Sequence, residues 1–211
     1  MTDLRRALVT GARTVAESGL VVGSAGNLSV RDGDAMLITP RGARLEAIDP
    51  AHCVEVELAT DEVEADASSE TPLHRAVYAA TDAGAIVHTH STFATVQSTL
   101  VQALPAVHYG ITAFGGSVRV APYATFGSDE LAASVAAALD GRRAALLANH
   151  GAVVIADTVA AAVDLAVQLE WLCSVSYHAT LAGTPTVLDA DQLAAVDEQT
   201  RALRYRGAVR A

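Results

Sequence analysis

The sequence has little of what several protein classes require. Its two cysteines, Cys53 and Cys173, stand far apart with no CxxC pair, so neither a zinc ribbon nor a dithiol redox centre is in view. Both are expected as buried small apolar residues, the usual state of a free cysteine. Positive charge is scarce: 14 basic against 24 acidic side chains give a net charge of −10, which opposes a nucleic-acid backbone or an anionic membrane. No run approaches the roughly 20 consecutive apolar residues of a membrane span. The opening Met1-Thr2-Asp3-Leu4-Arg5-Arg6 leads into an amphipathic pattern rather than a signal peptide. A cytoplasmic chain with no nucleic-acid or membrane partner is the expectation. There is no internal repeat and no linker, and a small anionic ligand would have to be held locally.

What is present is 211 residues, 51% hydrophobic and 18% charged, sufficient for one domain over residues 1–211. Leu4, Leu8, Ala12 and Val15 share one face of an opening helix that ends near Ser18-Gly19. Asn27 to Arg31 and Ala35 to Thr39 flank the turn Asp32-Gly33-Asp34 as a hairpin. Val54 to Leu58 alternates apolar and acidic residues as a half-buried strand does. Ser68-Ser69-Glu70-Thr71-Pro72 opens a helix, with hydroxyls for capping and proline in the first turn. Further strands are predicted at Ala85–His90, Ser117–Pro122, Ala144–Asn149 and Ala152–Ala156. Helices are predicted over Thr92–Leu100, Ser128–Leu139 and about Thr158–Leu181, with a last one capped by Asp189 or Asp191. Interleaving without strict βαβ repetition, together with a hairpin, predicts an α/β layered fold with a mixed or antiparallel sheet flanked by helices.

The strongest chemical signal is His88-Thr89-His90 at the end of an apolar strand, where the two-residue period puts both imidazoles on one face. An isolated pair of this kind reads either as two metal ligands or as one packed and one surface histidine. Asn149-His150-Gly151 interrupts a second aliphatic run and adds a third candidate; three histidines leave one coordination position open, as in a catalytic zinc site. His52, His74, His108 and His178 look ordinary beside these. Glu70, at a helix start, reads most simply as a capping or first-turn glutamate, although competing desolvation and charge effects there would also suit an acid/base group. Gly23-Ser24-Ala25-Gly26-Asn27 suits either a sharp turn or a phosphate cradle of N–H groups. Thr39-Pro40-Arg41-Gly42 and Ser68-Ser69 offer similar donors, to which Arg41 could add positive charge.

In shared order, Gly-Ser-Ala-Gly-Asn-Leu-Ser-Val-Arg (23 to 31), Ile-Thr-Pro-Arg-Gly (38 to 42), Ser-Ser-Glu (68 to 70), His-Thr-His (88 to 90), Pro-Ala-Val-His-Tyr (105 to 109), Ala-Pro-Tyr-Ala-Thr-Phe-Gly (121 to 127) and Asn-His-Gly (149 to 151) resemble the class II aldolase/adducin-head family. The likeness runs from about residue 4 to 205 and is strongest to its zinc-dependent L-fuculose-1-phosphate aldolases. It implies zinc, or another divalent ion, on His88, His90 and His150, with Glu70 as resting fourth ligand and acid/base. It further implies phosphate binding by Gly26, Asn27, Thr39, Gly42, Ser68 and Ser69. Tyr109 and, less securely, Tyr205 match tyrosines that serve a neighbouring subunit's site, which implies a homotetramer with interfacial active sites. The implied reaction is cleavage of a ketose 1-phosphate, L-fuculose 1-phosphate foremost, to dihydroxyacetone phosphate and a short aldehyde such as L-lactaldehyde. Zinc would act as Lewis acid at the carbonyl, Glu70 would move a proton at the dihydroxyacetone phosphate carbon, and Tyr109 would serve the aldehyde oxygen. Alternatives within the fold are a 5-deoxypentulose-1-phosphate aldolase, a pentulose-5-phosphate 4-epimerase and a methylthioribulose-1-phosphate dehydratase. From another class comes the non-catalytic adducin-head interaction module. Arg41 and the short tail beyond Tyr205 depart from the family pattern.

Overall fold

The alternation of side chains along short apolar strands builds a sheet that is buried on both faces. In a computed structural model that describes residues 2–203 apart from 61 and 63, the helices are α1 (Thr2–Glu17), α2 (Thr71–Ala80), α3 (Thr92–Leu100), α4 (Asp129–Ala138), α5 (Val159–Ala182) and α6 (Ala190–Ala202). The strands are β1 (Asn27–Asp32), β2 (Ala35–Ile38), β3 (Val54–Glu57), β4 (Ala85–Thr89), β5 (Arg119–Ala121), β6 (Ala144–Leu147) and β7 (Gly151–Ala156). They form one sheet in the order β3-β2-β1-β4-β7-β6-β5. Every neighbouring pair is antiparallel except β5 with β6, so the mixed, largely antiparallel α/β layered fold expected from the sequence is observed.

Successive residues feed two cores. Leu28, Val30, Val87, Leu146 and Val154 point toward α1, α3 and α5. Met36, Ile86, Leu147, Val153 and Ile155 point toward α2 and α4. Each fully buried Leu or Ile contributes about 1.5–3 kcal/mol by leaving water. Helix α5 is long and apolar enough to cross a membrane by length and composition. Asp164, Gln168 and Glu170 interrupt it, however, and its buried face packs on β4, β7, α1 and α3, which makes it a core helix. Glu170 also accepts hydrogen bonds from the backbone N–H groups of Phe93 and Ala94 at 2.8 and 2.9 Å, tying the N-terminus of α3 to α5. Both cysteines are buried, as expected.

The sequence placed most elements to within a few residues. Strand pairing ends β4 one residue before His90 and β6 two before Asn149, because the chain there turns out of the sheet to form the site. Asp189, rather than Asp191, caps α6, in a reciprocal arrangement with Gln192. Short 3-10 turns at Leu45–Ala47, Pro50–His52 and Tyr109–Phe114 carry no periodic signal and were not anticipated.

The site end of the sheet depends on a close backbone approach at Gly151, where an added Cβ would lie 2.1 Å from the Thr89 carbonyl oxygen. Gly151→Ala is therefore expected to cost about 1–3 kcal/mol as the β4–β7 pair spreads. Urea unfolding would measure it, and an unchanged midpoint would show that the strands yield freely.

Candidate metal centre and anion pocket

Three strand ends and one helix start converge on a single point. His88 lies on the central strand β4 and is fully buried. Its Nδ1 is 3.0 Å from the Ala152 carbonyl oxygen on the neighbouring strand. A carbonyl only accepts, so the His88 proton resides on Nδ1 and Nε2 presents a lone pair. That lone pair faces the Nε2 of His90 at 3.0 Å and Oε2 of Glu70 at 3.0 Å. His150 follows the β6 strand through Asn149, whose φ of +57° turns the chain sharply, a conformation asparagine tolerates better than most residues. Its Nε2 lies 3.7 Å from Glu70 Oε1. The ligand atoms of the three histidines all fall within 4.8 Å of one another.

Glu70 sits just before α2, 5% exposed, and its side chain does not cap the helix. Its Oε2 is buried without a hydrogen-bond partner: His88 Nε2, 3.0 Å away, has no proton to give. Burial raises the Glu70 pKa, while His150 and His90 pull it down. Orphaned acceptors at such separations are costly, and a cation among them satisfies all at once. Around a tetrahedral ion with bonds of about 2.0 Å, ligand nitrogens stand roughly 3.3 Å apart. The spacing therefore fits a divalent metal, with the carboxylate as a displaceable fourth group.

Beside this cluster opens a cavity of about 300 Å³. Of the residues expected to bind phosphate, Gly26, Asn27, Gly42, Ser68 and Ser69 line it. Gly26 is required there: with φ of +83°, any Cβ would meet the His88 carbonyl oxygen at 2.9 Å, so only glycine lets this turn reach β4. Thr39 is not in the lining; it is fully buried, and its hydroxyl accepts from the Leu28 N–H at 3.1 Å. Arg41 turns away, donating to the Ala67 carbonyl oxygen at 3.3 Å. Tyr109 lies outside the cavity, 57% exposed and stacked on His108. Tyr205 falls outside the described residues.

Sequence reasoning gave no role to Tyr123 or Phe126, which also line the cavity, beside Ser24, Pro40 and Asn149. Tyr123 and Phe126 are exposed by 65% and 66%; the signal for them was two aromatics in the loop before α4. It also passed over His74. This residue is fully buried and bonded through both ring nitrogens, to Ser29 Oγ and to Asn27 Oδ1, each at 2.6 Å.

Comparison with known proteins agrees with this geometry. Residues 6–177 match the model of the class II aldolase and adducin N-terminal domain. The chain belongs to that family. It is 40% identical to the 5-methylthioribulose-1-phosphate/5-deoxyribulose-1-phosphate aldolase of Rhodospirillum rubrum, covering 93% of this chain and 90% of that one. It is 39% identical to the L-fuculose phosphate aldolase of Escherichia coli K12, over 96% of each. A solved L-fuculose 1-phosphate aldolase superposes with a TM-score of 0.90 at 36% identity, covering 95% of this chain and 97% of the other. Within the family the chain is a class II aldolase, an enzyme of the metal-dependent type.

Burial holds the neutral imidazoles of His74 and His88 down to about 3 and that of His150 to about 4, against an ordinary value of 6.5. Unfolded, each takes a proton as the pH drops below about 6.5; folded, it resists. The stability they confer is thus complete above that pH and is lost progressively as acid approaches their folded values. Metal-free protein is expected to melt at a clearly lower temperature at about pH 5 than at about pH 7.5. Equal melting temperatures would mean that the buried rings are protonated in the fold.

Proposed function

We propose that this enzyme is a zinc-dependent, cytoplasmic aldolase that reversibly cleaves a ketose 1-phosphate into dihydroxyacetone phosphate and a short aldehyde. The observation that carries the reading is the buried Glu70 carboxylate facing three imidazoles beside an anion-sized cavity of neutral donors. His88, His90 and His150 would hold the ion, with Glu70 as fourth ligand at rest. Bound there, a divalent ion supplies Lewis acidity to a carbonyl oxygen while the neighbouring carbon–carbon bond breaks. The chain's residues do the rest. Glu70 would move the proton at the dihydroxyacetone phosphate carbon, a role that its raised pKa suits. Asn27, Ser68, Ser69 and the turns at Gly26 and Gly42 grip the phosphate and hold the scissile bond in register. A covalent Schiff-base route is unavailable, because the chain contains no lysine: all 14 basic residues are arginine.

Tyr109 is proposed to act in the site of a neighbouring subunit of a homotetramer, as proton donor and acceptor for the aldehyde oxygen. Its exposure and its place outside the lining of its own cavity support this. Tyr205 and Arg41 are candidates for the same interface.

L-fuculose 1-phosphate is the leading substrate. A second reading, 5-deoxypentulose 1-phosphate cleavage, is supported by near-equal identity to a relative with that name. The two substrates share the dihydroxyacetone phosphate half and differ only beyond the broken bond. Four metal-facing groups, all present, count against a non-catalytic interaction module.

A panel of ketose 1-phosphates, assayed for dihydroxyacetone phosphate release with and without chelator, decides. Release abolished by chelator and restored by zinc is expected; no release from any member would remove the proposal. Glu70→Gln should keep the fold yet slow deuterium exchange into dihydroxyacetone phosphate by about 10²-fold or more. Exchange at the wild-type rate would strip Glu70 of its role.

A further inference from the structure

Alternation along β1 turns Asn27, Ser29 and Arg31 toward α2, and each engages that helix. Asn27 Oδ1 meets His74 Nε2 at 2.6 Å, Ser29 Oγ meets His74 Nδ1 at 2.6 Å, and Ser29 Oγ also meets the Tyr78 hydroxyl at 2.9 Å. Arg31 lies over the Tyr78 ring, 4.7 Å from its centroid, and donates to the Tyr78 carbonyl oxygen at 2.6 Å. All four members of the chain of bonds, Tyr78, Ser29, His74 and Asn27, are buried. Nothing in the metal chemistry uses them.

The direction of this chain is fixed at its phenol end. Among the described residues the buried Tyr78 hydroxyl has one partner, Ser29 Oγ, so its proton goes there or remains unsatisfied. Ser29 then accepts from Tyr78 and gives its own proton to His74 Nδ1. His74, neutral in its dry setting, carries its one proton on Nε2 and donates it to Asn27 Oδ1. The Asn27 oxygen is thereby consumed, and its NH₂ group is left to face the cavity that Asn27 lines. Were the His74–Asn27 bond reversed, Asn27 would present an oxygen to an incoming anion, and either the Tyr78 or the Ser29 proton would be orphaned.

We propose that His74 is a positioning residue: the relay Tyr78–Ser29–His74 locks the Asn27 carboxamide with its donors turned into the cavity, and so sets the affinity for the phosphate end of the substrate. The proposal rests on reading that cavity as a phosphate site. Helix α2 then serves both halves of the reaction, placing Glu70 at the metal and, one turn later, His74 behind the anion donor.

The test is titration of the metal-loaded full chain with inorganic phosphate, alongside zinc content and melting temperature, for wild type, Asn27→Ala, His74→Leu, His74→Gln and the Asn27→Ala/His74→Leu double variant. His74→Leu should weaken phosphate binding between about tenfold and a hundredfold, the effect of losing one well-aimed hydrogen bond to a charged group. His74→Gln, whose amide N–H can reach the place of Nε2, should recover most of that loss. In the Asn27→Ala background, His74→Leu should add nothing, because the group it orients is gone. Tyr78→Phe keeps the shape of the helix face and should also weaken phosphate binding without zinc loss, which preserves the test if His74→Leu does not fold. Wild-type phosphate affinity in folded His74→Leu or in Tyr78→Phe, with Asn27→Ala impaired, would overturn the relay, as would additive losses in the double variant. No phosphate binding by wild type, or none that depends on Asn27, would overturn the anion-site reading itself and the relay with it.

Discussion

A bond between His88 Nδ1 and the Ala152 carbonyl oxygen governs the whole site. By holding the only proton of a fully buried imidazole on the sheet side, it leaves a lone pair aimed at His90 Nε2 and at a second acceptor, Glu70 Oε2. In water such groups would turn apart. Here they are fixed by a central strand paired on both edges, and the apolar layers on either face of the sheet offset the repulsion. The chain folds into an arrangement that becomes comfortable only when a cation enters, which is the usual coupling of metal affinity to fold stability.

The same register couples the metal to the anion pocket. Asn27 pairs directly with His88 across β1 and β4, so one ladder position carries a metal-facing imidazole and a cavity-facing amide. Gly26 permits the close approach, and α2 clamps the pair from behind through Glu70 and His74. A shift of β1 by one residue would turn Asn27 and Ser29 into the opposite core and bring Leu28 to the cavity. Geometry of this kind is preorganised by secondary structure rather than by mobile loops.

The sequence made the three-histidine cluster legible because its signals are local: a two-residue period for His88 and His90, and a histidine breaking an aliphatic run for His150. Glu70 was readable only through family resemblance, since a glutamate at a helix start is ordinary by itself. His74 was passed over for the converse reason. Its partners, Asn27 and Ser29, lie some 45 residues away, and a lone histidine on a helix announces no partner. Thr39 and Arg41 show the same limit. Both have donor chemistry suited to a phosphate, and each also engages a backbone group that the sequence does not announce, the Leu28 N–H in one case and the Ala67 carbonyl in the other. Short-range pattern identifies which residue types are near; it does not assign their hydrogen bonds. The parallel β5–β6 pair and the 3-10 turns also lay beyond it, because long-range pairing and tertiary packing decide them.

On the proposed reading an acidic protein takes an anionic sugar, and among the described residues the cavity meets that electrostatic problem without a lysine or arginine in its lining. Positive charge is supplied, on the proposed reading, by one metal ion at the reacting end. At the other end, on that same reading, backbone N–H groups, hydroxyls and one oriented carboxamide would meet the phosphate. Neutral dipoles cost less to bury than cations when the site is empty, but they bind only if aimed beforehand, since each is weak and none can be recruited from solvent. Aim also confers selectivity. A ketose without phosphate would leave the donors dry and unpaired, a heavier loss than a missing attraction alone. The burden of recognition then shifts from charge to orientation, which is the part proposed for a buried histidine with no access to substrate.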